Sequence, residues 1–227
     1  MIKVAIDGPA AAGKSTAAKA VAAELGLLYL DTGSMYRALG YKAMSLGFDP
    51  GNESQIIPML QGTELRVAFA GGAQKLFVDG EDVTGKIRSA ECGMAASAIS
   101  AIPEVREKLV AMQQKLSEGA SVVMDGRDIG TVVLPDAKYK FFITASPGVR
   151  AKRRHDELIA KGSAVKPVSE LEKEIVKRDY DDSHRAHSPL KMAENALLID
   201  STDMTPEQVA AKILEIIREG EQGRVVL

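Results

Sequence analysis

Residues 7–16 read "DGPAAAGKST" and fit the spacing G-x-x-x-x-G-K-[ST], with Gly8, Gly13, Lys14 and Ser15 in register. The pattern has a bland reading, a small-residue turn that happens to end in Lys-Ser. Its chemical reading is a cradle for the phosphates of a nucleoside triphosphate. Gly8, Pro9, Ala10, Ala11, Ala12 and Gly13 leave successive backbone N–H groups free to curl around a phosphate. A helix that begins near Lys14 points its positive end at the same place, and Lys14 adds a full charge. Ser15 offers a hydroxyl to Mg²⁺, with Thr16 beside it. The alanine-rich loop is no obstacle, because backbone groups do this work. The flanking sequence favours the cradle: "IKVAID" suits a buried parallel strand, and "AAKAVAAELG" suits a helix closed by Gly26.

Further charged residues follow at three places. "LDTGSMYR" (30–37) brings Tyr36 and Arg37 after a strand end, and "DGRDIGTVV" (125–133) brings Asp125, Arg127 and Asp128 after another. In the polar stretch 146–187, Arg178 and Asp182 are spaced i,i+4 and Arg185 stands three further on, so one helix face is expected to present cation, carboxylate, cation. Such a charge run is often only a solvated face. Three function classes fit a triphosphate cradle. A switch GTPase is weakly suggested by D-x-x-G at Asp82–Gly85, but nothing matches N-K-x-D. A kinase acting on a hydroxyl of a small metabolite needs a base, for which Asp125 is the natural candidate. A kinase acting on a nucleoside monophosphate needs no base, since its acceptor oxygen is already anionic, but needs many cations to bring two phosphates together. The arginines near strand ends favour a phosphate acceptor, because ligands gather at the carboxyl ends of parallel strands. His155, His184 and His187 have no metal-ligand spacing and are read as surface residues.

Positioning these groups requires an α/β scaffold. Five short apolar runs, 3–7, 27–31, 121–125, 139–144 and 197–200, alternate with helical patterns and predict a parallel sheet covered on both faces. "SPGV" (146–149), "SELE" (169–172) and "TPEQ" (205–208) each open with an N-cap residue type, and the last two carry the capping-box Glu or Gln. The segment 64–83 has period-two apolar positions around Gly-Gly and predicts an antiparallel hairpin, inserted as a small lobe. One folding unit with protruding parts is expected.

The 227 residues, 45% hydrophobic and 26% charged, suffice for one large core. A net charge of −2 argues against a nucleic-acid partner. No apolar run reaches the roughly 18 residues of a membrane span, and the chain opens in a strand instead of a signal peptide. The single cysteine, Cys92, lies among small residues as a buried thiol, which suits a reducing cytoplasm. No heptad or apolar surface stripe is evident, and a monomer is expected.

Taken together, "IDGPAAAGKST", "LDTGSMYR", "AASAISAIPEVREKL", "DGRDIGTVVLPDA" and "KRDYDDSHRAHSPL" resemble the bacterial cytidylate kinases, in this order and over nearly the full length. The resemblance implies a P-loop NTPase fold with a central five-stranded parallel sheet, an inserted antiparallel lobe and a helical lid. Within a single kinase domain spanning 1–227, it implies a monophosphate-binding lobe at about 32–103 and a lid at about 155–168, which excludes water as a competing acceptor. It implies Mg²⁺-assisted transfer of the ATP γ-phosphate to CMP or dCMP. Arg37, Arg127 and Arg185 are then given to the acceptor phosphate, Arg178 and Asp182 to the ribose and the transferring group, and Ser97, Arg106 and Asp128 to the cytosine. Lys14, Arg127, Arg178 and Arg185 form the catalytic set, while Thr32, Tyr36 and Asp125 complete the substrate-facing one. Thr32 stands where relatives also carry serine, and both residues have the hydroxyl.

Overall fold

The computed structural model describes residues 1–162 and 165–223. The chain begins with β1 (Lys3–Asp7), α1 (Lys14–Leu25), β2 (Leu28–Asp31), α2 (Thr32–Ser45) and α3 (Glu53–Gln61). Next come β3 (Leu65–Ala70), β4 (Ala73–Val78), β5 (Glu81–Asp82), a 3-10 turn at Lys86–Arg88, α4 (Ala90–Ile99) and α5 (Pro103–Leu116). It ends with β6 (Val122–Gly126), a π turn at Ile129–Val133, β7 (Tyr139–Thr144), α6 (Pro147–Ala160), α7 (Val168–His184), β8 (Leu197–Asp200) and α8 (Pro206–Glu221). Among the described residues no helix is long and apolar enough to cross a membrane. The elements fall into two compact units, Met1–Leu27 with Ser121–Leu227, and Leu28–Ala120.

The main sheet has five strands in the order β2-β6-β1-β7-β8, so the expected strands are all present. β1 pairs in parallel with β6 on one side and β7 on the other, and β8 pairs in parallel with β7. Val4, Ala5 and Ile6 of this central strand are wholly buried, which is why it reads as a continuous apolar run without alternation. The chain leaves β1 through Gly8, where a Cβ atom would stand 2.0 Å from the Ile143 carbonyl oxygen of β7. Only glycine permits that approach. α1 closes on Gly26 in the left-handed conformation, as its sequence predicts.

Two of the expected helix starts form differently. The Thr205/Gln208 capping box opens α8, but α7 begins at Val168 after Pro167, so Ser169 lies inside the helix and "SELE" forms no box. Proline favours this earlier start, since its fixed φ leads the chain into the first turn. Ser146 precedes α6 without capping it through its side chain. Residues 155–160 of the expected lid lie within α6 and Val168 opens α7, while Ser163 and Ala164 fall outside the described residues.

In the second unit, β3 and β4 form the expected hairpin, closed by Gly71 and Gly72, both at positive φ. Two such residues are what a tight two-residue turn needs. The hairpin gains a third strand, since β5 pairs antiparallel with β4. A two-residue strand is too short for an alternation to show in the sequence. This small sheet packs on α2, and the surrounding core includes Met35, Leu39, Leu76, Ile99 and Leu109. α2 and α4 approach closely at Gly40, where a Cβ atom would lie 2.9 Å from that of Ala95. Cys92 is buried, as expected.

Candidate functional site

In the first unit, the loop between β1 and α1 has the backbone of a phosphate cradle. Ala11 and Gly13 both adopt positive φ, and Gly13 precedes α1 without any side-chain cap, so the first N–H groups of the helix are left for a ligand. The Lys14 ammonium donates to the Pro9 carbonyl at 2.6 Å. Burial, together with the nearby Arg127 charge, holds its pKa well below the usual lysine value, against the pull of Asp125 and Asp7. Ser15 Oγ donates to Asp125 Oδ2 at 2.7 Å. A hydroxyl and a buried carboxylate are hard oxygen donors of the kind Mg²⁺ takes when substrate phosphates and water fill the remaining positions. Among the described residues no group of three or more His, Cys, Asp or Glu could hold a metal on its own.

Braces invisible in the sequence hold the cradle. Arg150 of α6 is buried, and its guanidinium donates to the Ala145 carbonyl at 2.8 Å, the Ala10 carbonyl at 3.2 Å and Asp179 Oδ2 at 2.6 Å. It therefore ties the phosphate loop to α7. Ser201 Oγ donates to the Ala12 carbonyl at 3.2 Å, and Arg153 grips the Ser201 and Met204 carbonyls at 2.6 and 3.1 Å. The only hint is the basic run "RAKRR", which from its composition alone resembles a solvated face.

The segment after β6 carries the next group. Arg127 Nε donates to Asp182 Oδ2 at 2.8 Å, joining it to α7. Burial pushes the Asp182 carboxyl up, but Arg127, Arg178 and Arg185 outweigh it and hold the group below the usual carboxylate range. Lys14, Ser15, Asp125, Arg127, Arg178 and Asp182 thus come together within this unit. Arg185 departs from the helical spacing expected for it. α7 ends at His184, Arg185 is extended, and its Nε donates to the Ser188 carbonyl at 2.7 Å. It reaches Asp182 as part of the chain leaving the helix and not as a further turn of one face. His184 is exposed and stacks on Tyr180 with ring centroids 3.9 Å apart, His187 is exposed, and His155 is half-buried.

Asp7 is a positioning residue that sequence reasoning missed. Its two carboxylate oxygens accept the N–H groups of Ile129 and Gly130 at 2.8 and 2.7 Å, and so set the π turn directly after Asp128. Single π turns of this kind recur at functional sites. Burial pushes the Asp7 pKa up from 3.8 to about 6, only partly offset by those two N–H groups. Because the folded pKa lies above the unfolded one, ionised Asp7 opposes folding above pH 6 and the penalty disappears as pH falls through that window. We expect the stability difference between wild type and Asp7→Asn to move in favour of wild type by up to about 3 kcal/mol between pH 7.5 and pH 4. Urea unfolding of both proteins at the two pH values checks this, and a constant difference refutes it.

In the second unit, Asp31 caps α2 by accepting the Ser34 N–H at 2.9 Å, and its other oxygen receives Arg37 at 2.8 Å and Arg88 at 3.3 Å. Thr32 is buried on the first turn of α2. Arg106 of α5 donates to the Ser100 carbonyl at 3.3 Å and lies over the Tyr36 ring at 5.6 Å. Ser97 is half-buried on α4, and its carbonyl accepts from Ser100 Oγ at 2.8 Å.

A family model described as cytidylate kinase matches residues 4–219. The chain belongs to the cytidylate kinase family. It is 49% identical over 224 residues to a cytidylate kinase of Caldanaerobacter subterraneus subsp. tengcongensis, covering 99% of this chain and 98% of the relative. A cytidylate kinase of Caldicellulosiruptor bescii is also 49% identical, over 95% of each chain. Among solved structures, a gluconokinase of Sinorhizobium meliloti aligns over 97% of this chain and 94% of its own with a TM-score of 0.50 at 13% identity, a likeness of fold alone.

Proposed function

We propose that the chain transfers the γ-phosphate of ATP to CMP and dCMP, with Mg²⁺. Family membership across residues 4–219 carries this reading, and the first unit's chemistry supports it. The acceptor oxygen of a nucleoside monophosphate is anionic, so the reaction asks for cations and no base. Asp125, the candidate base for a hydroxyl acceptor, instead receives the Ser15 hydroxyl, which suits the metal side of the reaction. Ser15 and Asp125 would hold Mg²⁺, which would supply positive charge against the phosphates. Lys14 binds the triphosphate, and Arg178 and Asp182 serve the ribose and the transferring group. Arg37, Arg127 and Arg185 are assigned to the acceptor phosphate, and Ser97, Arg106 and Asp128 to the cytosine. A coupled ADP-release assay against CMP, dCMP, UMP, AMP, GMP and shikimate tests the reading. Turnover of CMP and dCMP above the rest is expected, and turnover of shikimate alone overturns it.

Base choice provides a sharper test. The Asp128 carboxylate is buried, and its carbonyl is locked by the N–H groups of Val132 and Val133 at 2.9 and 3.2 Å, so the side chain has little room to retreat. Cytosine offers it an N4 amino donor. Uracil offers an oxygen there, a mismatch costing on the order of 1–3 kcal/mol. Asp128→Asn serves either base, so the CMP/UMP ratio of kcat/KM should narrow by about tenfold or more. An unchanged ratio would place base selection elsewhere.

A further inference from the structure

Asp31 carries more positive charge than it can neutralise. Its Oδ1 is committed to the Ser34 N–H at 2.9 Å, and its Oδ2 receives both Arg37 and Arg88, at 2.8 and 3.3 Å. One buried carboxylate between two guanidinium groups leaves a net positive pair, and the buried Arg37 Nε finds no hydrogen-bond partner among the described residues. Both cations are held in place. Arg37 is on α2, whose first turn is clamped by Gln74 of β4: Oε1 accepts the Asp31 N–H at 2.7 Å and Nε2 donates to Ser34 Oγ at 3.1 Å. Arg88 ends the 3-10 turn next to wholly buried Ile87, and the Ser89 side chain caps α4 immediately after it. The Arg88 side chain is 48% exposed, so an incoming anion can reach it.

A single carboxylate is a poor match for two forked cations. A phosphate monoester has nearly twice the charge and three acceptor oxygens, enough to take both forks. We infer that Arg88, together with Arg37, forms a two-pronged receptor for the phosphate dianion of the nucleoside monophosphate, with Asp31 as the positioning residue that holds both arginines. This rests on the reading of the chain as a CMP kinase and adds Arg88 to the residues that meet its substrate.

The test compares full-length wild type, Arg88→Ala and Arg88→Lys in steady-state kinetics with CMP and ATP, and uses cytidine as a competitive inhibitor that lacks the phosphate. Arg88→Ala should raise the KM for CMP by about tenfold or more and leave the KM for ATP and the inhibition constant of cytidine unchanged. Arg88→Lys, which keeps the charge but loses the fork, should recover part of the loss. A merely structural Arg88 would weaken cytidine and CMP equally, and that result overturns the inference, as does an unchanged KM for CMP. Thermal melting of each variant separates misfolding from lost binding, and if Arg88→Ala melts early the Arg88→Lys comparison carries the test alone. If wild type phosphorylates no nucleoside monophosphate, the reading beneath the inference fails. If wild type is active and Arg88→Ala matches it, only the inference fails.

Discussion

Lys14→Ala should lower kcat/KM by about 10³-fold or more while leaving the fold intact. The residue opens α1, so its backbone role passes to alanine, the best helix former. Its ammonium is a different matter. It lies buried against the Pro9 carbonyl, and burial together with Arg127 depresses its pKa because the two carboxylates nearby, Asp125 and Asp7, compensate the charge incompletely. A cation held this way weakens the protein that carries it and becomes favourable when triphosphate oxygens arrive. Removing it should therefore leave the melting temperature unchanged or raise it, while transfer loses the charge that meets the β- and γ-phosphates. Kinetics and thermal melting on the same preparation read both effects. Near-normal turnover would refute the phosphate role, and a fall of many degrees in melting temperature would make Lys14 a structural residue.

Asp182→Ala should act on stability and rate together. Asp182 is buried on α7 and holds Arg127 through a 2.8 Å hydrogen bond, with Arg178 and Arg185 close enough to depress its pKa further. Deleting one partner of a buried pair leaves the other charge uncompensated, a loss of about 3 kcal/mol. Three neighbouring arginines would then repel one another, and Arg127 would lose the carboxylate that aims it. Turnover should fall by about 10²-fold or more, since misplacing the groups that meet a transferring phosphate costs rate steeply. The variant should also regain more stability from ATP than wild type does, because the phosphates supply the missing negative charge. Urea unfolding with and without ATP measures both quantities. Equal stabilisation of the two proteins by ATP would show that Asp182 does not face the phosphate-binding cations. The depressed pKa has a sign of its own: this carboxylate supports folding above the ordinary carboxylate range, and its contribution is lost as pH falls through the folded value.

The parts legible in the sequence are those whose causes are local. Gly8, Gly13, Lys14 and Ser15 announce a phosphate loop because positive φ, a close backbone approach and a helix start each demand particular residues within a few positions. The same holds for the five buried strands, for Gly26 closing α1, for the Gly71–Gly72 hairpin turn and for the Thr205/Gln208 box. Local rules also mislead where neighbours compete, as when Pro167 starts α7 ahead of Ser169 and when the helix ends before Arg185. Partner choice is another kind of question. With 29 basic and 31 acidic residues in the chain, no spacing rule tells which cation will meet which carboxylate. Arg127 finds Asp182 across 55 residues, Asp7 finds Gly130 across 123, and Arg150 joins Ala10 to Asp179. Those pairings follow from the order in which strands lie side by side, since the parallel register sets β1 beside β6 and β7 and so brings their carboxyl ends together. Residue types and short spacings therefore determined that this chain has a phosphate loop and a surplus of arginines to use with it. Only the tertiary structure decided which arginine is held by which acid, because a charge pairs with whatever the packed backbone places within reach.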